Sequence, residues 1–143
     1  MLQISSRSSA DPIRELISQT DQKTLAVWAL DCARRVLPLF EAAHPNDPRP
    51  RDAIEAGHAW VRGEIPVGEA RTAAFAAHAA ARTSDELSAA FAARAAGHAA
   101  ATAHTPLHAV HAADYAVQAA SLKAKQGERA WQYDHLVCLS RQQ

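Results

Sequence analysis

The sequence is short of nearly everything that would announce a chemistry. Aromatic residues make up 6% of its 143 positions, and there are two cysteines, Cys32 and Cys138, and one methionine. Fifteen basic residues balance fifteen acidic ones, so the formal charge is zero, and no run of Lys or Arg stands out. A general nucleic-acid or anionic-membrane binder needs a basic stripe, so neither partner is expected. No stretch reaches transmembrane length without a charge or a histidine. The Ser-rich start, Met1 to Ala10, lacks the apolar core of a signal peptide. The chain therefore reads as cytoplasmic. The cysteines lie far apart, each in an apolar helical stretch, and read as two buried free thiols rather than a disulfide. Alternating apolar runs and Asn-Gly or Asp-Gly turns are missing, which excludes a β fold. The Gly-x-Ser-x-Gly elbow, the phosphate loop and the dinucleotide fingerprint are missing too.

What the chain has is alanine: 35 residues, 24 of them between Ala70 and Ala120. Alanine is the best helix former and a poor source of buried area. Such a core must gain by close backbone approach. The length suits one domain over residues 1–143, with residues 1–10 expected to be flexible. Asp11-Pro12 caps and starts a short helix to Gln19. Thr20 or Asp21 caps a longer one, striped by Leu25, Trp28, Ala29, Cys32, Val36, Leu39 and Phe40 at i, i+3, i+4 spacing. Pro38 should kink or briefly break it. The three prolines between His44 and Pro50 make a rigid loop. A third helix runs to about Gly63, with Ile54, His58, Trp60 and Val61 inward.

After a turn around Pro66, a fourth helix covers Glu69 to Arg82. Thr83 and Glu86 form a capping box for a fifth, to about Ala103. Thr105-Pro106 repeats the cap-then-proline signal for a sixth, to about Lys125. Gly127 precedes a last helix carrying Trp131, Leu136, Val137 and Leu139. The expected fold is all-α. It is a single-domain bundle of six to seven helices, mostly antiparallel neighbours, with an Ala-rich helical hairpin at its centre.

That hairpin carries an echo. Ala73–Arg82 and Ala89–His98 each set one Phe, one His and one Arg into alanine. Phe75, His78 and Arg82 share one helix face, as do Phe91, Arg94 and His98. Folding back around Thr83-Ser84 opposes Arg82 to Glu86, Phe75 to Ala92–Arg94, and Arg71 to Gly97–His98. An Arg82–Glu86 ion pair and an Arg94–Phe75 cation–π contact of about 0.5–2 kcal/mol follow. Charged groups are rarely buried unless paired. The candidate acids besides Glu86 are Asp31, which has Arg34 and Arg35 at i+3 and i+4, and Asp114. Asp114 interrupts the stripe of Leu107, Val110, Val117 and Ser121, and would need His111 or a hairpin arginine as partner. Arg94→Ala should destabilise the fold by more than about 1 kcal/mol, a value typical of a broken buried network. The plainer reading has these arginines snorkelling at the bundle edge, their stems covering alanine.

Eight histidines is a high count, and His104, His108 and His111 are the densest cluster. Three neutral imidazoles could hold a divalent transition metal if they converged. Against that, the helix starting at Pro106 leaves His104 outside it, no protease-type Glu follows, and no Cys is near. No cofactor is the expectation. An enzymatic reading makes His108 or His111 a general base oriented by Asp114, with Tyr115 beside them. No nucleophile motif accompanies it, so the histidines read better as small amphipathic packing residues.

Several fragments in order extend this reading: Trp28-Ala29-Leu30-Asp31-Cys32-Ala33, Asn46-Asp47-Pro48-Arg49-Pro50, Trp60-Val61-Arg62-Gly63, Ala80-Ala81-Arg82, Ala93-Arg94-Ala95-Ala96-Gly97-His98-Ala99, His104-x-x-x-His108 and Tyr115-Ala116. Together they resemble a family of small all-helical bacterial immunity proteins of polymorphic toxin systems, over roughly residues 25 to 120. The resemblance implies a helical protein that binds and neutralises a cognate toxin and performs no chemistry. It places Asp31, Asp47, Arg49, Arg82, Arg94, His104 and His108 as the polar binding residues. Thr105-Pro106 between the two histidines departs from the pattern. A strongly charged inhibitor face is not offered by so neutral a chain, but Arg49 or Arg51 in the proline loop could anchor a neutral interface.

Overall fold

Alanine decides how this chain packs. The computed structural model describes residues 12–142, in which seven helices follow one another and no strand occurs. They are α1 (Pro12–Ser18), α2 (Gln22–Ala43), α3 (Arg49–Val61), α4 (Val67–Thr83), α5 (Leu87–Ala101), α6 (His108–Leu122) and α7 (Glu128–Ser140). The expectations for residues 1–10 and for the Asp11 cap lie outside the described residues.

Helix α5 is the axis of the bundle. Eleven of its fifteen residues are buried, nine of them alanine, and it packs on α2, α3, α4 and α6. With no side chain larger than a methyl on most of its surface, neighbouring helices come close on all sides. Bulk enters from α2, where Trp28, Leu25, Leu30 and Phe40 are fully enclosed. Close approach is tightest at Gly57 of α3, where an added Cβ would fall 2.5 Å from Leu30 Cδ2.

The ends of the helices differ in detail from the sequence signals. Asp21 does cap α2, accepting a hydrogen bond from Thr24 N at 2.9 Å. Pro38 does not break that helix, which runs unbroken to Ala43. Its ring lies on the exposed face, where the carbonyl it leaves without a donor can meet water. The Thr83–Glu86 capping box does not form. Thr83 Oγ1 donates back to Ala80 O, while Ser84 Oγ exchanges hydrogen bonds with Glu86 N and O across the turn. Thr105-Pro106 does not start α6 either, since a run of turns from Thr102 to Leu107 precedes it. Gln22 holds that connection by donating to the carbonyls of Thr102 and Ala103, at 2.9 and 3.2 Å.

Helix α7 returns across α2 and is fixed there by polar contacts. His135 Nε2 meets Asp31 Oδ2 at 2.7 Å, and the His135 ring stacks on Trp131. Arg35 covers the other face of Trp131 and donates to Glu128, with Nε 2.8 Å from Oε2. Asp31 and Arg35 thus pair with α7 rather than with each other, because helix-surface pairs worth about 0.2–0.5 kcal/mol yield to partly desolvated ones. The enclosed Gln132 donates to Ala113 O, and Trp28 Nε1 donates to Gln132 O at 2.8 Å. Both thiols are free. Cys32 is buried as expected, and Cys138 is exposed instead, on the outer face of α7. Among the described residues no helix is long and apolar enough to cross a membrane.

Candidate functional site: an imidazole cluster between α4, α5 and α6

The two echoing stretches do form a hairpin, with a register that differs from the simple fold-back. The residue opposite Gly97 is His78, whose imidazole would lie 2.8 Å from a Cβ placed there. The missing side chain gives the ring its place. Helix α6 then closes over α5 and brings His108, His111 and Tyr115 to the same spot.

His98 is the hub. Its ring centroid lies 4.7 Å from that of His78, 5.2 Å from His108, 5.1 Å from His111 and 5.4 Å from Tyr115, on which it stacks. Tyr115 continues the stack to Phe91. His98 Nδ1 and His108 Nδ1 face each other at 3.0 Å, so one nitrogen must carry the proton and the other the lone pair. His78 Nδ1 is buried with no hydrogen-bond partner among the described residues. Burial pushes the His98 pKa down to about 3, and the neighbouring His78, His108, His111 and Arg94 push in the same direction. Burial likewise lowers His78, helped by Arg94, His108 and Arg82, and lowers His108, helped by His111 and His104. The charged and titratable neighbours that act on these three rings are cationic or imidazole. The core of the cluster is neutral at physiological pH.

A small cavity of about 100 Å³ opens beside the cluster, lined by Arg71, Ala74, Phe75, His78, Ala101, His104 and His108. Phe75 stands 62% exposed at its rim, with the Arg71 guanidinium 5.8 Å from its ring. The expected Arg94–Phe75 contact is therefore replaced by Arg71–Phe75, a one-turn neighbour on the same helix. The expected Arg82–Glu86 pair is also replaced. Glu86 lies 3.7 Å from Lys123, and Arg82 makes no ion pair among the described residues. Arg94 makes none either, and stays half-buried with its charge toward the imidazoles. No buried ion-pair network exists on the hairpin, and its arginines lie at the bundle edge.

Of the sequence candidates, the structure brings together Arg82, Arg94, His104 and His108, by lining the cavity or by acting on its histidines. Asp31 belongs to the α7 contacts, and Asp47 and Arg49 close on each other in the proline loop, with Nη2 2.7 Å from Oδ2. None of these three lines the cavity. Asp114 is held by Arg129 of α7 rather than by His111 or a hairpin arginine. Neither His108 nor His111 therefore has a carboxylate to orient it as a base. Among the described residues no group of three or more His, Cys, Asp or Glu side chains is placed to hold a metal ion. Apart from the His98–His108 nitrogen pair, the imidazoles meet through faces and edges.

His98 and His78 are the members that the His104/His108/His111 spacing did not announce. The signal was present in the echo, since each stretch carries one of them, and Gly97 marks where the helices touch.

No curated protein and no solved structure matches the chain. A family model does, across residues 15–138, and it covers all seven helices in whole or part. The chain belongs to the family described as Imm-5 like putative immunity protein.

Proposed function

We propose that this protein is an immunity protein that binds a bacterial toxin and blocks it stoichiometrically, without chemistry of its own. The observation that carries the proposal is the family match over nearly the whole chain. The geometry of the α4–α6 face is consistent with it. A binding role needs a presented surface rather than an oriented base or a nucleophile, and Phe75 at 62% exposure beside Arg71 offers the aromatic and arginine pair on which interface energy concentrates. Leu107, adjacent in the chain to His108, adds a second apolar side chain, 60% exposed. Arg82, Arg94, His104 and His108 surround this surface as polar binding residues. Asp31, Asp47 and Arg49 act indirectly, by fixing α7 and the proline loop.

The test is neutralisation in cells. Candidate toxin domains of polymorphic toxin systems are each expressed in a bacterial host with and without the chain. Growth restored by the intact chain supports the reading. Growth arrest that persists in every case despite soluble, folded chain overturns it.

A further inference from the structure

Five of the described arginines are paired within the chain. Arg35, Arg49, Arg51, Arg62 and Arg129 each hold a carboxylate within the chain. Arg71, Arg82 and Arg94 hold none among the described residues, and all three belong to the α4–α5 hairpin beside the imidazole cluster. Arg71 and Arg82 are exposed and Arg94 half-buried. Arg14, Arg34 and Arg141 hold no carboxylate among the described residues either, but they are scattered over α1, α2 and the residues after α7, so the α4–α5 hairpin is where unpaired arginines gather. Glu69, Asp85 and Glu86 lie on or beside this hairpin, but none forms an ion pair with these arginines, and Glu86 is taken by Lys123. Phe75, between Arg71 and Arg82 along α4, projects into solvent.

From this we infer that the α4–α6 face docks an acidic protein surface, one that presents carboxylates to Arg71, Arg82 and Arg94 around an apolar recess that receives Phe75. The inference rests on the immunity-protein reading and names the chemistry of the toxin surface that reading requires. Guanidinium groups suit this role because each offers a planar fork to a carboxylate. An aromatic side chain at the centre of such a rim is where water exclusion makes the ion pairs count. A nucleic acid fits less well. It would need a longer cationic track along the phosphate backbone than three arginines on one face provide.

The probe is the toxin domain whose growth arrest the chain relieves in the cell assay, titrated by calorimetry or surface plasmon resonance against full-length protein. The double variant Arg82→Glu/Arg94→Glu should weaken binding by about 100-fold or more, and Phe75→Ala by at least about 10-fold. Arg62→Glu, on a pair remote from the cavity, should stay within about 3-fold. Circular dichroism melts confirm that each variant folds. Binding should also weaken as salt rises from about 0.05 to 0.5 M. If wild-type protein binds and the double variant binds equally well, the acidic-surface inference falls while the immunity reading stands. If folded wild-type protein does not bind the toxin domain at all, both fall. If instead a single-stranded oligonucleotide binds with the same arginine dependence and the toxin does not, the face serves nucleic acid and the inference is overturned.

Discussion

His98 Nδ1 and His108 Nδ1 sit 3.0 Å apart, a hydrogen bond that joins α5 to α6 with one ring donating and the other accepting. At least one ring must stay neutral to accept, because a protonated imidazole has only donors, and protonating both would break the contact. The arrangement makes the fold sensitive to acid in a definite direction.

The His98 pKa is pushed down to about 3, by burial first and then by His78 of α4, Arg94 of its own helix, and His108 and His111 of α6. Unfolded histidine titrates near 6.5. Between these values the unfolded chain binds the proton and the folded chain does not, so stability falls as pH falls through that window. The contribution is full above about pH 6.5 and is lost progressively toward about pH 3. His78 and His108, lowered for the same reason, act in the same sense. Urea melts at pH 7.5 and pH 5 should show the protein clearly weaker at pH 5, and His98→Phe should shrink that difference. Equal midpoints for the wild type at both pH values would contradict it.

Gly57→Ala should destabilise the protein by about 1–3 kcal/mol, despite a gain in helix propensity of up to about 1 kcal/mol. The new Cβ would come within 2.5 Å of Leu30 Cδ2, and Leu30 is wholly enclosed. Gly97→Ala presses instead on the end of the His78 ring, which can swing toward the cavity, so its cost should be smaller. Chemical denaturation of the two variants side by side checks the order.

Arg94→Ala should change stability by no more than about 0.5 kcal/mol. This reverses the expectation of a buried network, because Arg94 has no carboxylate to lose. Removing it would relieve part of the field that lowers His78 and His98. A loss above about 1 kcal/mol by thermal or urea melts would show that its stem carries packing that the plainer snorkelling picture omits.

The helices were legible because their signals are local. Asp21, the i, i+3, i+4 stripe of α2, the proline loop and Gly127 each act within a turn of where they sit. The caps at Thr83 and Thr105 failed for the converse reason. Their hydroxyls had nearer partners, or a run of turns came between, and sequence spacing does not register that competition. Polar pairing was the least legible. Asp31–His135, Arg35–Glu128 and Asp114–Arg129 all depend on where α7 lands, and nothing within α2 or α6 states it. The imidazole cluster lies between these extremes. Its α6 half followed from spacing, while its α4 and α5 half required knowing that Gly97 admits the His78 ring.

The central claim is that the face built by α4, α5 and α6 is where the partner sits. Hydrogen–deuterium exchange on the complex with the toxin domain that the chain neutralises measures this directly. Protection should appear in residues 71–82 and 101–111, with α7 and the proline loop unchanged. Protection confined to α7 or to the loop at Asp47–Arg49, with residues 71–82 exchanging as in the free protein, would contradict the account.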